Sequence, residues 1–157
     1  MAPEPDPAFP HPSWGTLLAR GFTKRCPRCG ERKIYRTYFR MEDRCPRCGI
    51  RFEREPGFFV GAYLINFAAI LVILFVEIMA FVPWKISHPD TGLTAVIGIG
   101  LVSSLVAPVA LYPFARTVWS ALDLGGTPVE QAEADDARAA RGEPAPPEEA
   151  GASEPHR

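Results

Sequence analysis

The residues best suited to chemistry are four cysteines in two copies of one pattern, Cys26-Pro-Arg-Cys29-Gly30 and Cys45-Pro-Arg-Cys48-Gly49, with fifteen residues between Cys29 and Cys45. Paired C-x-x-C units at this separation are the spacing of a four-cysteine zinc site. In each unit the proline fixes one backbone torsion, two thiolates turn inward, and the glycine takes the left-handed or crowded conformation that follows. Two such knuckles face to face enclose a tetrahedral S4 site with no open coordination position, which suits a structural ion rather than a catalytic one. The expectation is one structural zinc ion, Zn2+, held by Cys26, Cys29, Cys45 and Cys48. Three other chemistries use the same residues. A disulfide pair needs an oxidising compartment, a thioredoxin-like motif uses one C-x-x-C in a larger βαβ setting, and spacing alone admits iron in an S4 shell. Three scattered histidines argue against a histidine-rich metal enzyme. No motif for acyl, phosphoryl or hydride transfer stands in the chain, so the expectation is a protein that is not an enzyme.

The elements that must position these cysteines are short. Residues 33–40 (KIYRTYFR) are rich in aromatic and β-branched types and residues 50–54 alternate apolar with polar, a pattern of short strands that gives a zinc ribbon over residues 24–55. Thirty-odd residues cannot bury a sufficient core, so metal binding must supply most of the folding free energy. Upstream, Trp14, Leu17, Leu18 and Phe22 fall at helical spacing, which suits either an interfacial helix over residues 14–23 or a slightly apolar linker. Four cysteines in 157 residues argue against a disulfide-dense miniprotein, and a net charge of −1 gives no argument from global charge.

Two apolar runs dominate the middle. Residues 58–82 are interrupted only by Asn66 and Glu77, and residues 93–115 carry no charge. As helices they are roughly 37 and 34 Å long, enough to cross a hydrocarbon core of about 30 Å. The expected spans are residues 56–82 and 93–115, joined by a turn at residues 83–92 and followed by a juxtamembrane segment at 116–124. Twelve lysines and arginines precede the first span, one (Lys85) lies between the spans and four follow the second. That asymmetry places the ribbon and both termini in the cytoplasm. A proline-rich lead (residues 1–13) and an acidic tail (residues 125–157) read as disordered. The fold class is a small β zinc ribbon plus an α-helical transmembrane hairpin of two spans, with disordered tails.

The order Arg25-Cys-Pro-Arg-Cys-Gly, an aromatic-basic hairpin, Asp43-Arg-Cys-Pro-Arg-Cys-Gly, then Phe52-Glu-Arg-Glu-Pro-Gly57-x-x-x-Gly61-Ala62 leading into a span with Asn66 resembles a family of small bacterial inner-membrane proteins. That family is catalogued only as a domain of unknown function. The resemblance runs over roughly residues 18–124, to Arg116-Thr-Val-Trp119-Ser-Ala-Leu-Asp123-Leu, and leaves out the acidic tail. It implies a zinc ribbon fused to two helices in the bacterial cytoplasmic (inner) membrane, with no established activity. Some relatives are encoded beside terminal-oxidase assembly genes, which implies an accessory role toward a respiratory complex.

Inside the first span Ala62, Asn66, Ala69, Ile73 and Glu77 share a helical face. A carboxylate at the centre of a span costs ~3 kcal/mol, so Glu77 must face protein or water or snorkel toward Trp84 and Lys85. Asn66 suits an interhelical hydrogen bond, and Gly61 and Ala62 allow close helix approach. In the second span Gly100, Ser104 and Ala107 form a small-residue stripe, while Pro108 and Pro113 kink the helix. The partners this implies are the lipid bilayer and a membrane protein or a second copy of the chain; no small-molecule substrate can be named. Basic residues interleaved with Tyr35, Tyr38 and Phe39 also fit nucleic acid, but topology and anionic headgroups near Arg44, Arg47, Arg51 and Arg54 account for the same charges. The leading function is a non-catalytic interaction or assembly factor. Its alternatives are an ion or proton pathway using Glu77 and Asn66, which needs an oligomer because two helices enclose no pore, and a membrane-tethered nucleic-acid-binding ribbon. For the topology, a membrane-impermeant thiol reagent should label a Ser87→Cys variant in intact cells, and labelling only after lysis reverses the orientation.

Overall fold

The computed structural model describes residues 9–143; the start of the proline-rich lead and residues 144–157 of the acidic tail lie outside them. Four helices form among the described residues: α1 (Trp14–Phe22), α2 (Val60–Ser87), α3 (Thr94–Gly126) and α4 (Gln131–Ala140). Each apolar run becomes one helix, and each helix outlasts its run. α2 continues through Pro83 and so takes in half of the expected turn, ending where Lys85 Nζ donates to the carbonyls of Pro89 and Thr91. α3 passes through Pro108 and Pro113 for 33 residues, about 50 Å, well beyond the roughly 30 Å that a bilayer core requires. Its last turns, which the sequence reading set apart as a juxtamembrane segment at residues 116–124, are an unbroken continuation of the helix.

Both helices are long and apolar enough to cross a membrane, and almost none of either run is buried within the chain. Leu64, Val72, Ile97 and Leu105 are each more than three-fifths exposed. Length and exposed apolar surface together are consistent with two membrane spans.

The part outside the runs packs around the cysteines. Its core joins Leu17 of α1, the residues Ile34, Met41, Ile50 and Phe52 between the helices, and Ala121 and Leu124 of α3. α1 lies so close to α3 that a Cβ at Gly21 would stand 3.1 Å from Ala121 Cβ, and the indole of Trp14 closes over Gly125. The helices therefore supply the apolar mass that a thirty-residue module lacks.

Two expectations are corrected. The segments read as strands, residues 33–40 and 50–54, form no strand among the described residues; they make isolated antiparallel bridges, Tyr35 with Met41 and Arg44 with Arg51. The chain turns too soon for a ladder: Arg36 and Thr37 N–H both donate to Arg40 O, which closes the hairpin two residues beyond its bridge. The tail expected to be disordered over residues 125–157 contains α4, which opens with a capping box between Glu130 and Glu133. Acidic composition suggested a solvated segment, but its acids are used in pairing.

Arg54 carries the largest share of that pairing. Its guanidinium donates to both carboxylate oxygens of Glu133 (2.7 Å each), to Asp123 Oδ2 of α3 (2.7 Å) and to the carbonyl of Thr127 (2.8 Å). Asp136 pairs with Arg44 at 2.9 Å and Arg51 at 3.3 Å. Burial alone would raise Glu133, but Arg54 and the Glu130 N–H hold it below its ordinary value; the Arg44 hydrogen bond lowers Asp136. Stability from a carboxylate held low is complete above its ordinary value, about 4 for these types, and fades as the pH falls through the depressed one. α4 therefore loosens in acid and not in base. Replacing Arg54 with Ala should cost about 2 kcal/mol of α4 docking, read as faster hydrogen exchange over residues 131–140 with the apolar part of α3 unchanged; unaltered protection of α4 would contradict this role.

Candidate metal centre

The two knuckles have the same backbone design. Cys26 N–H donates to Glu31 O and Gly30 N–H to Cys26 O; one knuckle later, Cys45 N–H donates to Ile50 O and Gly49 N–H to Cys45 O, all at 2.8–2.9 Å. Gly30 and Gly49 both take left-handed torsions, φ +81° and +72°. This repeat turns the two cysteines of each unit the same way and brings the four Sγ atoms within 4.8 Å of one another.

Two close separations cross between knuckles: Cys26 to Cys48 at 3.8 Å and Cys29 to Cys45 at 3.5 Å. A disulfide needs about 2.05 Å, so the cysteines are four free thiols. A tetrahedron with metal–sulfur bonds of about 2.3 Å has edges of about 3.8 Å, and the cluster fits that size. Cys26, Cys45 and Cys48 are buried and Cys29 is half-buried. Such crowding divides the protons unevenly: hydrogen bonding to Cys29 pushes Cys26 up, while hydrogen bonds from Cys26 hold Cys29 and Cys45 below the ordinary thiol range. Backbone N–H groups of Glu31 and Cys48 add support to the Cys29 and Cys45 sulfurs. A divalent cation held by Cys26, Cys29, Cys45 and Cys48 would replace the shared protons and satisfy all four thiolates at once.

Guanidinium groups secure the knuckle backbones. Arg20 of α1 donates to the carbonyls of Pro27 and Arg28 at 3.0 and 2.8 Å. On the second knuckle, Arg141, just past α4, donates to Cys48 O at 2.6 Å and Arg44 to Gly49 O at 3.2 Å. Four thiolates and a divalent ion would carry a net charge of −2, which the Arg20 guanidinium on the first knuckle would partly offset, while Arg44 and Arg141 already pair with Asp136 and Glu143. α4 also sits directly on the second knuckle: a Cβ at Gly49 would overlap the carbonyl oxygen of the buried Ala137. Neither Arg20 nor Arg141 stands out in the sequence as a support: Arg20 reaches the carbonyls of Pro27 and Arg28 only because α1 ends against the first knuckle, and Arg141 acts on Cys48 from 93 residues away.

The intramembrane candidates fall into two groups. Near the module, Gly61 lies under the indole of Trp119, with no room for a side chain, and Ala62 is buried beside it. Asn66, also buried, donates from Nδ2 to Pro108 O of α3 at 2.9 Å. Farther along, Glu77 turns toward α3, not toward Trp84 and Lys85, and its Oε2 accepts from Ser103 Oγ at 3.0 Å. Ser103 was not singled out in the sequence; only the helix pairing reveals it. A Cβ on Gly100 would stand 4.0 Å from the same oxygen. Ser104 donates to its own helix at Leu101 O and lines, with Glu77 and Gly100, a cleft of about 820 Å³ between the helices. Asn66 and Glu77 thus share α3 as their neighbour but not one site.

Residues 35–123, more than half of the chain, match the family model described as Protein of unknown function (DUF983). The chain belongs to that family. The match takes in the second knuckle, both apolar helices and the extension of α3, and begins after Cys26 and Cys29. No curated protein and no solved structure matches the chain.

Purified protein should hold one equivalent of a divalent transition metal, lost on acidification as protons compete for the thiolates. Less than half an equivalent by elemental analysis would contradict the site. Gly49→Ala should cost about 2 kcal/mol or more, since a left-handed residue with a Cβ costs about 1–2 kcal/mol before any clash with Ala137. Gly30→Ala should cost less, because only the flexible Arg20 side chain stands near, at 3.3 Å; chelator-induced unfolding measures both.

Proposed function

We propose that this protein is a membrane-anchored zinc-ribbon module that acts as a non-catalytic interaction or assembly factor for a membrane complex. The closed four-thiolate cluster carries this reading, because a shell of four protein ligands leaves no position for substrate. The ion is zinc, which four thiolates select along with tetrahedral geometry. Support for a platform role comes from how firmly the module is joined to the helices. Tyr35 Oη donates to Pro113 O and Tyr38 Oη to Ala110 O, each at 2.6 Å. Burial of Tyr35 pushes its phenol up to about 12, so this bond keeps its proton through the physiological range. Arg116 stacks on the Phe59 ring at 3.7 Å, which ties the segment before α2 to α3. The ribbon and both termini lie in the cytoplasm by the positive-inside rule, in the inner membrane of a bacterium by the family resemblance. That resemblance also suggests a respiratory complex as the client.

A second reading rests on Glu77, a half-buried carboxylate hydrogen-bonded to Ser103 in the interhelical cleft. In an oligomer it would serve a proton or ion pathway. Two measurements separate the readings. Crosslinking in native membranes should capture a stoichiometric membrane-protein partner, and Asn66→Leu should weaken that capture several-fold by loosening α2 from α3, while Ile70→Leu leaves it unchanged. Proton flux into liposomes that is present for the wild type and absent for Glu77→Gln would replace the assembly reading with the pathway.

A further inference from the structure

The basic residues of the module are sorted into two populations. Arg44, Arg51 and Arg54 spend their charge on Asp123, Glu133 and Asp136 of the same chain. They are therefore not the headgroup contacts that the sequence suggested. On the other side, Lys24, Arg25, Arg32 and Arg36 line a cavity of about 400 Å³ where the end of α1 and residues 32–38 meet α3 at Pro113. No carboxylate lines it. Arg36 is paired with Glu42 at 2.8 Å, at the exposed edge. Among the described residues no ion pair involves Lys24, Arg25 or Arg32; the Lys24 ammonium lies over the Phe114 ring, 4.9 Å from its centre. Lys24 also holds a left-handed backbone, φ +53°, the one non-glycine residue with positive φ among those described. This is the left-handed residue of the α1 C-terminal cap, closed by Arg25 N–H donating to Arg20 O at 2.9 Å.

The cavity stands at a defined level. Tyr38, on its wall, reaches Ala110 inside the apolar run, and Pro113 lies near the end of that run. Phe39 next to it is more than half exposed and its ring lies 5.9 Å from Tyr112, while Phe22 at the end of α1 is 62% exposed. Exposed rings beside unpaired cations, at the end of a span, form the composition of a membrane–water interface.

We propose that this cavity binds the phosphate group of an anionic phospholipid, with Arg25 and Arg32 as its principal donors and Lys24 as a point charge. Guanidinium groups match phosphate oxygens in paired hydrogen bonds. A headgroup there supplies the counter-charge that the chain itself supplies on its α4 side, and it ties the angle of the module to the bilayer surface. The proposal rests on the reading of α2 and α3 as membrane spans.

The test uses the full chain in detergent, titrated with phosphatidylglycerol or phosphatidylcholine and followed by native mass spectrometry. The first phosphatidylglycerol should bind at least about tenfold more tightly than phosphatidylcholine. Removing two cations with Arg25→Gln and Arg32→Gln together should weaken it about thirtyfold, at roughly fivefold for each basic residue at an anionic surface, with metal content unchanged. Arg47→Gln, outside the cavity, should change it less than twofold. Equal affinity for the two lipids, or an equal loss in Arg47→Gln, overturns the proposal. Inorganic phosphate that displaces the lipid at millimolar concentration with the same dependence on Arg25 and Arg32 reassigns the site to soluble phosphate and overturns the lipid source. Release of the chain from membranes by alkaline carbonate, read before any lipid is added, overturns the membrane reading and this proposal with it.

Discussion

Four sulfur atoms within 4.8 Å of one another are a liability until a cation joins them, and the rest of the soluble module is arranged around that requirement. Deprotonated, they repel; protonated, they leave a cluster of weak donors where a small domain needs its densest packing. The module has few apolar residues of its own, and the cysteines themselves make up much of the buried set. A bound metal would thus complete both the site and the core. The matching backbone hydrogen bonds of the two knuckles and the arginines on their carbonyls serve to hold the sulfurs at ligand spacing.

The second determinant is the length of α3. Because the helix does not stop where its apolar run ends, the residues that follow present Thr117, Ala121 and Leu124 to α1 and the cysteine module. One rigid element then spans both environments. Tyr35 and Tyr38 bond to carbonyls of this helix and Trp119 covers Gly61 at the start of α2, so the module and the hairpin are joined at several points, not through a flexible linker. A module fixed in this way transmits its orientation to whatever it meets, which a tethered ribbon cannot do.

Charge follows the same division. Asp123, Glu133 and Asp136 return to neutralise Arg44, Arg51 and Arg54, and α4 covers the second knuckle at Gly49. Beside the end of α1, Lys24, Arg25 and Arg32 have no ion-pair partner among the described residues. Net charge near zero conceals this separation completely, because a sum over the chain says nothing about which charges meet.

Legible in the residues alone were the four-cysteine cluster, the two apolar helices and the membership that residues 35–123 bear out, because each depends on local spacing or on a long run of one residue type. Period and length survive without knowledge of the fold. The sequence overstated the strands, since aromatic and β-branched residues at 33–40 favour extended backbone but cannot make a ladder in a loop that turns at Thr37. It also missed α4, whose acidic, alanine-rich residues make a weak helix alone and a stable one only against Arg54, Arg44 and Gly49. Asn66 and Glu77 marked one face of the first apolar helix, but that this face meets α3, with Pro108 O as acceptor and Ser103 Oγ as donor, was not legible. Those pairings join residues 42 and 26 positions apart, and distance along the chain carries no record of contact until the helices are packed.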